Sequence, residues 1–283
     1  MIPTFVIGMR EGVEAALIVG IVAAFLKRTG TSGDMRWMWL GVSVAVGLCL
    51  AGGIALHALD SDLPEAQQLR FEFLVSLVAV GTVTWMILWT KRHARGLKSH
   101  LEDRAASAVA QGTAAALIGM AFFAILREGF ETAVFLLAAF QSSTAPVASG
   151  IGVVLGLLAA LFLGYLIYRG GARINYARFF RITGMVLVFV AAGVLAFAVH
   201  TAQEAGWLTV LQGRAVDLRW LVAPDTVRAS LLTGMLGLQP EPTVAEVAVW
   251  LLYVIPMSLF VLLPRSTSRP TRVSVPSTQE VPG

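Results

Sequence analysis

Two strings in this chain put charge where charge is costly: Arg10-Glu11-Gly12-Val13-Glu14 and Arg127-Glu128-Gly129-Phe130-Glu131. Both read Arg-Glu-Gly-x-Glu, and both lie inside long apolar runs. One ionised side chain at the centre of a bilayer costs roughly 2.5–3.5 kcal/mol on insertion scales, and each string holds three. On a helix, residues three and four apart share a face, so Glu11 points with Glu14 and Glu128 with Glu131. Arg10 and Arg127 each stand four residues before the second glutamate of their own string, within its reach. Gly12 and Gly129 lack bulk and admit a close neighbouring helix. Four carboxylates and two guanidinium groups on facing helices make a polar site for a cation. Oxygen donors suit hard ions, with iron, manganese, magnesium and calcium all compatible. Copper(I) would want clustered Cys or Met. Zinc would want paired His or Cys, and His57, His93, His100 and His200 show no such spacing. The Glu-x-x-Glu spacing is similar to the inward carboxylates of di-iron bundles. The competing readings are a pair of buried ion pairs that only fix helix register, and an anion site on the two arginines, which four acids disfavour.

The elements that must position these strings are membrane helices. Hydrophobic residues make up 57% of the chain and charged residues 13%, about half the charged share of a soluble domain. The apolar residues fall in blocks of roughly 20, enough to cross a hydrocarbon core of about 30 Å. Seven spans are expected, at about 3–26, 38–59, 71–90, 112–140, 148–168, 181–203 and 246–263. No basic leader with a cleavage site precedes the first, so no removable signal peptide is expected. The lone Cys49 excludes an intrachain disulfide. The net charge of +4 comes from short loops between spans and records topology rather than a nucleic-acid partner. Lys27, Arg28 and Arg36, the group Lys91, Arg92, Arg95, Lys98 and Arg104, the group Arg169, Arg173, Arg178 and Arg181, and Arg265, Arg269 and Arg272 all fall on one side. Arg70, Arg214, Arg219 and Arg228 are the exceptions. The N-terminus is therefore expected outside and the C-terminus in the cytoplasm.

The strings belong to spans one and four, which must run in opposite directions. Their surroundings match too, Ala-Ala-Leu-Ile-Val following one and Thr-Ala-Val-Phe-Leu the other. The expected fold is an all-α polytopic membrane protein with about seven transmembrane helices: an inverted three-plus-three repeat plus one extra helix. The permease domain would cover 1–264, with repeat one at about 1–95, repeat two at about 105–205, an outer segment at 206–245 and the last helix at 246–263. Within the outer segment, Asp225 would cap an interfacial helix. Residues 265–283, rich in Ser, Thr, Pro and Arg, read as a disordered cytoplasmic tail. Glu72, Gln203 and Glu204, together with Asp60, Asp62 and Glu65, are candidates for an outer vestibule, with solvated helix ends as the plainer reading. His200 reads as a snorkelling or hydrogen-bonded side chain, and Trp85 and Trp89 as an aromatic belt. No Walker A string, dinucleotide glycine pattern or nucleophile elbow occurs, so the chain is not expected to be an enzyme.

At these residues the chain resembles the oxidase-dependent iron permease family, most closely its bacterial Efe-type branch. The paired Arg-Glu-Gly-x-Glu strings carry the resemblance. It extends through Leu26-Lys27-Arg28-Thr29, Val83-Thr84-Trp85-Met86, Phe135 to Gln141, Gln203-Glu204-Ala205-Gly206, Glu246 to Trp250, and Tyr253 to Pro256. The resemblance implies uptake of iron across the bacterial inner membrane, with Glu11, Glu14, Glu128 and Glu131 binding the ion in transit and Arg10, Arg127, Gly12 and Gly129 completing the motif. It implies iron as the transported substrate rather than a resident cofactor. It also implies a periplasmic iron-binding protein and a haem peroxidase as partners. The variable motif position holds Val13 and Phe130, both apolar, and Phe73 follows Glu72 where relatives tend to carry glycine. Another divalent metal, lead or manganese, is the alternative cargo, and a non-transporting membrane scaffold or sensor the alternative role.

Overall fold

The computed structural model describes residues 1–28, 34–93, 114–143, 146–168, 176–220 and 239–263. Among them, regular structure is helical: α1 (Ile2–Arg28), α2 (Asp34–Asp62), α3 (Glu65–His93), α4 (Ala114–Gln141), α5 (Pro146–Tyr168), α6 (Tyr176–Glu204) and α7 (Val244–Leu262). This is an all-α polytopic membrane protein. Five helices, α2, α3, α5, α6 and α7, are long and apolar enough to cross a membrane. In α1 and α4 the charged triplets at 10–14 and 127–131 interrupt otherwise apolar helices of 27 and 28 residues. Both are still long enough to span, at 1.5 Å per residue. Helices α3 and α6 outrun the hydrophobic blocks, beginning at Glu65 and Tyr176. Polar residues at a helix end satisfy the backbone as readily as apolar ones, so hydropathy marks the bilayer and not the helix.

The central packing joins α3, α6 and α7. Ala79, Val80, Val83, Met86 and Ile87 of α3 meet Leu187, Val188, Ala191 and Val194 of α6 and Val254, Met257 and Val261 of α7. Ile7 of α1 and Val134, Phe135 and Ala138 of α4 enter the same cluster. At the far end of α1, Val22 and Leu26 pack on Met38 of α2 and Ala121 of α4. Polar contacts fix α7 on this core. Thr84 and Tyr253 share a hydrogen bond of 2.7 Å. The Lys91 ammonium donates to the Leu263 carbonyl at 3.0 Å and lies 4.2 Å from the Phe260 ring centroid. A cation at a helix C-terminus meets the carbonyls that the helix leaves unpaired. At the other end of α7, Thr243 and Glu246 form a capping box.

Two further helix pairs flank the core, and both are seams of small residues. Gly8, Gly12 and Ala16 of α1 meet α5 at Val153, Ala160 and Gly164 in that order, and Gly152 lies against Met1 and Thr4. Contacts that advance together along both chains mean parallel helices. Likewise Gly41, Cys49 and Gly53 of α2 meet Ile118, Gly129 and Ala133 of α4, again in parallel. Close approach of this kind supplies van der Waals contact where lipid removes the hydrophobic drive. The stripe Gly152, Gly156, Ala160, Gly164 on α5 carries a four-residue period that the sequence analysis did not use. The expected interfacial helix at Asp225 and the tail at 265–283 lie outside the described residues, as do the side chains of Asp60, Asp62 and Glu65.

Candidate metal site on two charged helices

The two motifs meet where α1 packs against α4. Carboxylate oxygens of Glu11, Glu128 and Glu131 lie within 4.8 Å of one another, the spacing of donors around a single ion. The side chain of Glu11 is buried, and neither of its oxygens accepts a hydrogen bond. A buried carboxylate without a donor is costly, and an ion that accepts both of its lone-pair faces removes that cost. Glu128 is buried as well, and Glu131 is 14% exposed. Thr132 spends its hydroxyl on the Glu128 backbone carbonyl, at 2.7 Å, and leaves the carboxylate alone.

Glu14 stands apart from this trio. It is an electrostatic neighbour of Glu128 and Glu131. Its carboxylate, however, accepts from Arg10 Nε at 3.4 Å. Arg10 is among the most enclosed side chains of the described residues, at 1% exposure. Its Nη2 donates to the Thr90 hydroxyl of α3 at 3.0 Å, and its guanidinium carbon sits 5.6 Å from the Phe180 ring centroid of α6. Nη1 has no partner, and Nε lies 4.0 Å from Glu11, beyond hydrogen-bond range. On α4, Arg127 Nε donates to Glu131 at 2.9 Å, but the Arg127 side chain is 55% exposed. It lines an open apolar cavity of about 450 Å³ with Leu48, Cys49, Phe123, Phe130 and Ala133.

Both motif glycines sit at helix seams. A Cβ on Gly12 would lie 2.6 Å from the Ala160 Cβ, and one on Gly129 would lie 2.9 Å from the Cys49 Cβ. The vestibule candidates are elsewhere. Glu72 accepts from Gln68 one turn earlier on α3, at 3.1 Å. Gln203 Oε1 accepts from the Thr243 hydroxyl at 3.1 Å, which ties α6 to the start of α7. Glu204 lies 3.3 Å from His200 Nε2, whose Nδ1 lies 3.0 Å from the buried Glu246. His200 is thus hydrogen-bonded between two carboxylates. Glu246 was not singled out from its own chemistry, although Thr243-x-x-Glu246 before an apolar run is a readable capping signal.

The sequence profile of the Iron permease FTR1 family matches residues 1–268. This chain belongs to that family. It is 42% identical to the ferrous iron permease EfeU of Yersinia pestis, over 95% of this chain and 96% of the relative. It is likewise 42% identical to the EfeU of Yersinia pseudotuberculosis serotype I, over 93% of each chain. The EfeU of Escherichia coli O6:K15:H31 is 40% identical, over 96% of this chain and 99% of the relative. No solved structure matches. The match covers α1 to α7 of the described residues, so both charged motifs fall within it.

Proposed function

We propose that this chain is a ferrous-iron uptake permease of the bacterial cytoplasmic membrane that binds its cargo through Glu11, Glu128 and Glu131. It is a transporter and not an enzyme. The observation that carries the site is the convergence of three carboxylates from two helices, one of them buried with no donor at either oxygen. An all-oxygen donor set of this charge suits a hard divalent cation, and the EfeU likeness points among such cations to ferrous iron. In this reading Glu14 is the reserve carboxylate: like Glu131 it accepts from the arginine of its own string, but it stands outside the trio.

An inverted repeat is supported by the packing. Exchanging α1 with α4, α2 with α5 and α3 with α6 turns the α1/α5 seam into the α4/α2 seam. The same exchange turns the α3/α4 contact into the α6/α1 contact and leaves the α3/α6 and α1/α4 contacts in place. Helix α7, packed on α6, falls outside the exchange. A carrier of this design binds at the repeat interface. The orientation, N-terminus outside and C-terminus cytoplasmic, rests on the basic loops and fits two pairs of neighbouring ends. The starts of α1 and α5 meet at Thr4 and Ser149, and the ends of α3 and α7 meet at Lys91 and Leu263. A periplasmic iron-binding protein and a haem peroxidase would deliver the ion to the outer face.

Glu11→Gln and Glu128→Gln in proteoliposomes should abolish ferrous-iron uptake while the protein still inserts and elutes as wild type. Carboxylates must be ionised to hold metal, so protons compete with iron and binding should weaken as the pH falls. Full uptake by a well-expressed Glu11→Gln/Glu128→Gln double variant, or iron binding that strengthens on acidification, would overturn the site.

A further inference from the structure

We propose that Thr90 is a positioning residue for iron binding: it commits the Arg10 guanidinium to Glu14 and so keeps the Glu11 carboxylate free for the metal. This rests on the carboxylate site above and adds the device that keeps it open. The problem is one of competition. Arg10 carries five N–H donors in a planar fork, and a fork of this kind prefers a carboxylate taken through two bonds. Glu11 Oε1 lies only 4.0 Å from Arg10 Nε, neither Glu11 oxygen has a donor, and Arg10 Nη1 has no acceptor. Both groups are buried, and each would gain by closing that gap. A two-bond Arg10–Glu11 pair would occupy both oxygens of Glu11 and remove it from the trio with Glu128 and Glu131.

What opposes the closure comes from outside α1. The Thr90 hydroxyl on α3 accepts from Nη2 at 3.0 Å in a buried setting. The Phe180 ring on α6 lies under the guanidinium, 5.6 Å from its central carbon. A bond at one tip and an aromatic ring facing the cation together hold the fork in place. In that position its Nε faces Glu14. Thr90 touches neither the ion nor its ligands, so it acts through Arg10. The anchors come from α3 and α6, two helices that pack against each other, so the α1 motif is referenced to helices other than its own.

The test uses the full chain in proteoliposomes, with ferrous-iron uptake for KM and Vmax and anaerobic titration calorimetry for Kd. Thr90→Val keeps the shape and removes the acceptor. It should raise KM and Kd by about tenfold, the scale on which outer-shell partners tune metal affinity, with Vmax within about twofold of wild type. Thr90→Ser keeps the hydroxyl and should match wild type. Thr90→Ala gives the same comparison if the Val variant does not fold. A fall in Vmax at unchanged KM, or a Ser variant as weak as the Val variant, overturns the proposal. Glu11→Gln separates the two levels. If it loses affinity while Thr90→Val keeps it, the positioning role alone is wrong. If it binds iron as wild type does, the carboxylate site itself is wrong.

Discussion

The two motifs share four of five residues and the same i,i+4 ion pair, yet they live in different surroundings. In α1 the arginine is enclosed at 1% exposure and bonded to another helix, and the variable residue Val13 is buried. In α4 the arginine is 55% exposed beside an open apolar cavity, and the variable residue Phe130 is exposed as well. The short-range chemistry is set by spacing on the helix and so comes out alike in both copies. Burial is set by which helices pack around each copy, and there the copies differ. In the proposed site the α1 copy is the clamped half and the α4 copy the open half.

The sharpest way to break this comparison is to remove each arginine in turn. The two glutamates left behind are equally exposed, at 14%, so the difference must come from the arginines: Arg10→Ala empties an enclosed site and breaks its bond to Thr90, which should cost about 3–5 kcal/mol. Arg127→Ala removes a half-exposed partner and should cost clearly less. Denaturation of the purified protein in detergent measures both, and equal losses would dissolve the distinction between clamped and open halves.

A middle-sized effect tests whether the seams are equivalent even though the arginines are not. Gly12→Ala and Gly129→Ala each drive a Cβ into a packed partner, Ala160 or Cys49. Overpacking of this kind typically costs about 1–3 kcal/mol. Gly12→Ala should be rescued by Ala160→Gly, and Gly129→Ala by Cys49→Gly, with thermal stability as the readout. Rescue at one seam and not the other would show that the exchange relation between repeats stops at helix packing.

The smallest expected effect lies at the variable position. Phe130→Val should shift stability by no more than about 0.5 kcal/mol, the ordinary range for an exposed site. Val13→Phe should destabilise by about 1–3 kcal/mol, because the side chain it replaces is 2% exposed. Matching values in a paired denaturation series would contradict the burial difference.

The helices and the charged faces were legible in the sequence, because apolar length and a 3.6-residue period depend on neighbours along the chain. The pairing of Arg10 with Glu14 is of this kind. The partners of Arg10 in space were not legible, since Thr90 and Phe180 are 80 and 170 positions away and neither stands in a pattern of its own. The strings assign each arginine to its second glutamate, but for the same reason they do not show that Glu11 is left without a donor. Gln203 and Glu204 are expected from the sequence as vestibule groups or solvated helix ends, and the structure adds partners that the sequence does not show. Glu204 pairs with His200, and Gln203 accepts from Thr243, the capping residue of α7. The α5 small-residue stripe was in plain view and went unread, because it carries no charge to draw attention.

The two parallel seams have a consequence for how the chain is made. Helix α1 finds its partner in α5 and α2 finds its partner in α4, so each seam joins the two halves of the polypeptide. Some 150 residues separate the start of α1 from the start of α5. At about 5–20 residues per second, synthesis leaves α1 waiting roughly 7–30 s with three charged side chains and no seam partner. Until the second half emerges, α1 holds its charged triplet without the seam that later covers Gly8 and Gly12. The halves are interlaced, so a chain that stops after α3 lacks the seam partners of both α1 and α2.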